Sequence, residues 1–269
     1  MATAFRLQDC GGAWAVVTGA TAGIGRAYAR ELAARGMNLV LVARREPLLR
    51  ALADELAQAH RVRVVPVALD LAFPGAGEVL SRRIDELGDV RLCLVVNNAA
   101  CGRWGPYASD QAGRYAEIVR LNCGALIDVT AALLPQLTRS VPSALVNVSS
   151  QAAYQPVPYM AAYGASKAFV QSFSLALFEE LRTVGVLVQT LVPAPTVTEF
   201  DQRAGAYSST LVERGRPEEV VAASLAGLER GAAVAGNAKG LWKQRLFAGL
   251  FHPEFVVRQV ATMFRPPAA

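Results

Sequence analysis

A single α/β domain, with a doubly wound parallel sheet covered by helices on both faces and a helical extension at its C-terminal side, is the fold this sequence predicts. Three observations predict it. Short apolar, β-branched runs alternate with longer segments of helical length and composition from Trp14 to Val192. Several of the short runs are unbroken Val/Leu stretches, the pattern of strands buried on both faces. A glycine-rich turn, Thr18-Gly19-Ala20-Thr21-Ala22-Gly23-Ile24-Gly25, follows the first run, where a doubly wound sheet receives a phosphate.

Taken in order, the strands are expected at residues 15–18, 38–43, 63–68, 92–97, 144–149 and 187–192. Helices are expected at 24–35, 47–60, 75–86, 112–137 and 159–184, each a right-handed crossover between parallel strands. Pro47 suits the first turn of its helix, where a missing N–H costs nothing. Pro135 should end or kink the fourth long helix. Residues 193–217 lack periodicity and read as a lid or binding loop, and 217–230 are helical again. The stretch 241–264 clusters Leu, Phe, Trp and Val with Lys243, Arg245 and Arg258. Packing on the domain, lining a substrate mouth, joining subunits and lying on a membrane surface all remain open for it. Residues 14–200 thus form the motif-bearing core of one domain, and 201–269 a lid and C-terminal helices.

Composition limits the function classes. With 53% apolar and 18% charged residues over 269 positions, the chain has the makings of one large core and not of a disordered protein. No continuous apolar run approaches the roughly 18 residues of a membrane span. The first strand follows within about a dozen residues of Met1, which leaves no room for a signal peptide and points to the cytoplasm. Cys10, Cys93, Cys101 and Cys123 lack metal or redox spacing and read as small buried hydrophobes in a reducing compartment. Cys101 is the least secure of them, because it follows the Asn97-Asn98 segment directly. The net charge of +5 comes from arginines spread along helices, a solvated face. An anionic cofactor, an acidic carrier protein or lipid headgroups are its other readings. No basic run interleaved with aromatics suggests nucleic acid, and His60 and His252 stand too isolated to hold a metal.

The chemistry concentrates at Tyr163-Gly164-Ala165-Ser166-Lys167, thirteen residues after Ser150. Positions i and i+4 share a helix face, so the Lys167 ammonium can approach the Tyr163 phenol and favour its anion. A phenol tuned in that way exchanges a proton with an alcohol or carbonyl oxygen near neutral pH. Upstream, Gly19, Gly23 and Gly25, with Thr21, Ala22 and Ile24 between them, permit a tight turn and close approach to a pyrophosphate. The helix that follows offers its unpaired N–H groups and positive dipole end.

With Asp70-Leu71, Asn97-Asn98-Ala99-Ala100, Asn122, Ser149-Ser150 and Pro193-Ala194-Pro195-Thr196-Val197-Thr198, these motifs make the chain resemble a single-domain short-chain dehydrogenase/reductase. The resemblance covers nearly three-quarters of the sequence. It implies a Rossmann-type fold, a nicotinamide cofactor and carbonyl–alcohol interconversion. It implies that Ser150 donates to the substrate oxygen, that Tyr163 protonates the developing alkoxide, and that Lys167 also binds the nicotinamide ribose. Asn122 would hold a water joining Lys167 to solvent. Asp70 and Leu71 would touch the adenine, Asn98 and Ala99 the adenosine ribose, and Pro193, Thr196 and Thr198 the nicotinamide carboxamide. Two positions depart from the family pattern, Ala100 and Ala194, each where glycine is usual.

The end of the second strand bears on cofactor choice. An acid there would accept the ribose 2′-hydroxyl of NAD and repel a 2′-phosphate. This chain has Ala43, then Arg44 and Arg45, which favours NADP(H) with Arg44 as main clamp and leaves NAD(H) as the alternative. The expected activity is therefore NADP(H)-dependent interconversion of a small-molecule carbonyl and its alcohol, a 3-oxoacyl or steroid-like compound included. An NAD-linked alcohol or hydroxysteroid dehydrogenase, a reductase acting on carrier-bound substrate and a non-catalytic cofactor sensor are the competing readings. Residues 101–107, 151–160 and 200–210, with Trp104, Tyr154 and Tyr159, should form an apolar pocket. The stripe Phe169, Phe173, Leu177 and Leu181 suggests a homodimer or homotetramer, unless it faces the chain's own sheet.

Overall fold

A computed structural model describes residues 5–109, 112–205, 214–237 and 240–266. A sheet of seven parallel strands runs in the order β3-β2-β1-β4-β5-β6-β7, from β1 (Trp14–Thr18), β2 (Asn38–Ala43), β3 (Val64–Ala68), β4 (Leu92–Asn97), β5 (Ser143–Val148), β6 (Val186–Leu191) and β7 (Val234–Ala235). The six expected strands lie within one residue of their places. The two-residue edge strand β7 carries too little periodicity to be read from sequence.

Alternation along each strand divides the core in two. Ala15 and Val17 of β1, with Leu39 and Leu41 of β2, face α1 (Gly23–Ala34), α2 (Glu46–His60) and α8 (Pro217–Glu229). Trp14, Val16, Val40 and Val42 face the opposite layer. That layer holds α3 (Ala76–Asp85), α4 (Ala112–Val119), α5 (Ala125–Arg139) and α6 (Ala161–Arg182). Both sheet faces are therefore covered, as the unbroken Val/Leu strands require. On the α1/α8 side a buried polar chain ties the layers: Tyr28 Oη bonds Ser224 Oγ at 2.5 Å, and Ser224 Oγ donates to Gln189 Oε1 at 2.5 Å.

Four expectations need correction. The segment expected as one helix over 112–137 is α4 and α5 joined by a π-turn at Arg120–Gly124, where the Ala125 N–H reaches back five residues to the Arg120 carbonyl. Pro135 does not end α5, which continues to Arg139. The continuous helix Gly113–Arg139 does have the length and hydropathy of a membrane span, but Val129, Leu133 and Leu137 pack into the core, as in a core helix. Finally, Cys10 and Cys93 are not independent apolar residues. Cys10 ends a short 3-10 helix, Leu7–Cys10, that lies over β4, and the two sulfurs form a disulfide.

The lower half of the α6 stripe, Leu177 and Leu181, packs on the chain's own core. Phe169 and Phe173 stack on one another with ring centroids 5.7 Å apart. C-terminal to the sheet, α9 (Leu241–Leu250) and α10 (Pro253–Phe264) fold back over the carboxyl ends of the strands.

Candidate active site

Strand order reverses between β1 and β4, so the crevice outside their carboxyl ends is where a doubly wound sheet takes its ligand. The glycine turn lines one side. Thr18 anchors the other: its Oγ accepts the Asn98 and Ala99 N–H groups at 2.9 and 3.0 Å, and donates to Val96 O. The Asn98 amide donates to Thr18 O at 2.9 Å, so it braces the turn instead of standing free in the crevice. Packing here leaves no space for side chains at the glycines. A Cβ on Gly25 would lie 2.4 Å from Gly19 O and 2.5 Å from Asn98 Nδ2. Gly23, at φ +50°, is covered by the Thr198 methyl. The result is a bare backbone cradle opening onto the N-terminus of α1, which fits the pyrophosphate of a dinucleotide.

At the far end of that cradle, Ala43 is buried and Arg44 and Arg45 leave the sheet. Arg44 stands 3.6 Å from Glu117 of α4 and 4.0 Å from Asp70. Arg45 donates to Thr21 Oγ of the glycine turn at 3.1 Å and pairs with Glu199 at 3.1 Å. Asp70 is half-exposed and bonds the Ala72 N–H, whereas Leu71 is buried in the α3/α5 layer. Neither Glu117 nor Glu199 was singled out in the sequence, since ion pairs between residues this far apart leave no local signature.

The reactive side of the crevice is built by β5 and α6. Ser150 follows β5 in extended conformation, caps the short 3-10 helix Gln151–Tyr154 and hydrogen-bonds Tyr163. Ser149 is buried and donates to the Lys167 carbonyl at 2.9 Å, a bracing role. Lys167 donates from Nζ to Val148 O at 2.8 Å and stands 5.8 Å from the centroid of the Tyr163 ring. Burial pushes the Tyr163 phenol up to about 12, against the Ser150 hydrogen bond, and the Asp201 charge adds to the rise. Burial likewise pulls Lys167 down to about 8. The expected depression of the phenol by the lysine is thus reversed here, because removal from water outweighs a cation held by a backbone carbonyl.

Asn122 lies in the π-turn. Its amide donates to Cys101 O and to Ser166 Oγ, each at 2.9 Å, while its oxygen accepts the Cys101 N–H at 2.9 Å. It pins the loop after β4 to α6, and both amide hydrogens of the expected relay residue are committed to that task. Burial raises the Cys101 thiol to about 11, so it is a protonated neighbour and not a nucleophile at neutral pH.

Beyond β6, Pro193 leads a turn fixed from outside: Asn237 accepts the Ala194 N–H at 2.9 Å, and Thr196 pairs with Gly215. Thr196 Oγ turns back to Ala194 O at 2.6 Å. Phe200 opens the short helix α7 (Phe200–Ala204) and lies over Tyr163, ring centroids 5.0 Å apart. Around these two rings gather Trp104, Val157, Met160, Val256 and Val260, and Trp104 Nε1 donates to Phe264 O at 2.9 Å. Helices α9 and α10 therefore pack on the domain beside Tyr163 and Phe200, the first of the four alternatives left open for residues 241–264. Residues 206–210 of the expected pocket lie outside the described part of the chain.

Residues 13–208 match the family model described as short chain dehydrogenase. Among curated relatives, the very-long-chain 3-oxoacyl-CoA reductase of Bos taurus is 32% identical over 193 residues, 70% of this chain and 61% of that protein. The inactive hydroxysteroid dehydrogenase-like protein 1 of Pongo abelii is 36% identical over 70% of this chain and 57% of its own. This chain thus spans about 57–61% of the length of these relatives. Two solved structures are similar over nearly their whole length. A short-chain dehydrogenase from Sphingobium yanoikuyae in complex with NADPH has TM-score 0.80 and 33% identity, covering 96% of this chain and 98% of that one. The bulky-bulky ketone specific alcohol dehydrogenase from Comamonas testosteroni has TM-score 0.75 and 28% identity, covering 96% of each.

Proposed function

The chain belongs to the short-chain dehydrogenase family, and from that premise we propose that it is an NADP(H)-dependent reductase of bulky, apolar carbonyl compounds. One observation carries this reading: a protonated, buried phenol, hydrogen-bonded to Ser150, stands inside an apolar chamber at the mouth of a glycine-lined dinucleotide cradle. The cradle and the two arginines past Ala43 suit a cofactor with a 2′-phosphate. Bound there, such a cofactor supplies the hydride.

The chain's own residues supply the rest. Ser150 and Tyr163 offer two O–H groups converging on one substrate oxygen, which orients the carbonyl and stabilises charge as it develops. Tyr163 keeps its proton at neutral pH, so it is set to donate to an alkoxide, the direction of reduction. Lys167, positive below about pH 8, places a cation one helical turn from that phenol. Phe200, Trp104 and the α9–α10 wall exclude water and favour an apolar substrate. The names of the similar proteins, a bulky-ketone alcohol dehydrogenase and a 3-oxoacyl-CoA reductase, support a large ketone or a long 3-oxoacyl thioester.

The test is NADPH consumption against a panel of bulky ketones and 3-oxoacyl thioesters, with Tyr163→Phe alongside wild type. Loss of the phenolic proton should lower turnover by about 10²–10⁴-fold while NADPH binding survives. A variant keeping more than half its activity would remove Tyr163 from the chemistry. No turnover by wild type across the panel would favour the non-catalytic alternative, which the name of the Pongo abelii relative keeps in view.

A further inference from the structure

We propose that Glu199 is a determinant of cofactor choice, because its carboxylate competes with the ribose 2′-phosphate of NADP(H) for Arg45. The proposal rests on the NADP(H) reading above. Arg45 is the N-cap residue of α2 and lies across the glycine turn, with Nη2 donating to Thr21 Oγ at 3.1 Å. Its other terminal nitrogen, Nη1, is 3.1 Å from Glu199 Oε2. The ion pair therefore spans the cofactor cradle, from the strand end that meets the 2′ position to the segment that leads into α7. It belongs to a wider pattern. Arg44 is within 3.6 Å of Glu117 and 4.0 Å of Asp70, so two guanidiniums face three carboxylates, and a phosphate entering here meets arginines already engaged.

Glu199 is the carboxylate best placed to yield. Arg203, one turn along α7, donates to the same Oε2 at 2.6 Å, so Glu199 keeps a cationic partner when Arg45 turns away. Arg45 gains from the exchange, since a phosphate dianion offers more charge and more acceptor oxygens than one shared carboxylate oxygen. Both side chains are partly exposed, at 33% and 41%, which keeps the competition modest. An exposed ion pair of this kind corresponds to a change of up to about fivefold in affinity.

The experiment uses the full chain and two probes without nicotinamide, adenosine 2′,5′-bisphosphate and 5′-AMP, titrated by calorimetry at low ionic strength. Wild type, Glu199→Gln, Arg45→Ala and the double variant are compared. Glu199→Gln should tighten the bisphosphate about two- to fivefold and leave 5′-AMP unchanged. Adding Arg45→Ala should cancel the gain. A preference for the bisphosphate that is unchanged or weakened in Glu199→Gln overturns the proposal, as does a gain that survives without Arg45. The NADP(H) reading fails separately, if wild type binds the two probes equally. A gain in Glu199→Gln would then still uphold the competition, whereas no gain would overturn both.

Discussion

Replacing Lys167 with methionine should make the protein more stable while removing the proposed activity. Lys167 is fully enclosed, and its ammonium donates to the Val148 carbonyl at 2.8 Å. Its pKa falls from 10.5 in water to about 8 in the fold. A lowered lysine pKa means the folded state resists the charged form, so the group costs stability at every pH below 8. The cost fades as pH rises from 8 to 10.5, where the unfolded chain also gives up the proton. A shift of this size corresponds to about 3 kcal/mol at pH 7. Methionine fills a similar volume without charge and forfeits one hydrogen bond, about 1 kcal/mol. The net gain should be about 2 kcal/mol at pH 7, or roughly 4–8 °C in Tm for a chain this long. Between pH 7 and 9.5 the advantage should shrink by about 2 kcal/mol. The pH series stays below 10 because above it the unfolded chain ionises Tyr163 while burial keeps the folded phenol protonated up to about 12, so stability falls for a second reason. Denaturant unfolding of both proteins at four pH values measures this directly. A variant less stable than wild type at pH 7, or a difference that does not vary with pH, would show that Lys167 is not held at a desolvation cost.

Two further substitutions separate the cradle from the scaffold. Gly25→Ala sets a methyl 2.4 Å from Gly19 O and 2.5 Å from Asn98 Nδ2, atoms of a braced turn. Crowding of about 1–3 kcal/mol should weaken NADPH binding about tenfold or more, read by fluorescence titration; unchanged affinity would mean that the turn yields freely. Tyr28→Phe removes one hydroxyl from the buried Tyr28–Ser224–Gln189 chain on the α8 side of α1. It should cost about 0.5–1.5 kcal/mol of stability with turnover intact, and a Tm equal to that of wild type would count against the bond.

The strands and the clustering of Ser150, Tyr163 and Lys167 were legible because they leave local marks. A strand buried on both faces must be apolar throughout, and residues four apart on a helix must share a face, so β1 to β6 and the Tyr163–Lys167 pair follow from spacing. What escaped depends on chain segments meeting across the fold. The Cys10–Cys93 disulfide joins positions 83 residues apart. Glu117 and Glu199 become partners of Arg44 and Arg45 only once α4 and the approach to α7 are folded around the cradle. The direction of the Tyr163 shift escaped for a related reason. Motif spacing places a cation beside the phenol, but it does not report that Phe200 and the C-terminal helices take the phenol out of water.

The π-turn at Arg120–Gly124 has a consequence for homologous exchange. Helical side chains advance by 100° per residue, and a turn closed by a five-residue bond holds one residue more than regular winding would. Deleting a single residue between 120 and 124 would let α4 and α5 merge into an unbroken α-helix with almost no change in length or composition. The two halves would keep about their present phase, because the wide turn already absorbs the extra residue's rotation. With α5 held by Val129, Leu133 and Leu137 in the core, α4 would keep its packing, and what would be lost is the wide turn that aims Asn122 at Cys101 and Ser166. Segments grafted between relatives across this helix can therefore be one residue shorter through the turn and keep their hydrophobic register, but they forfeit the bracket that Asn122 makes between Cys101 and Ser166.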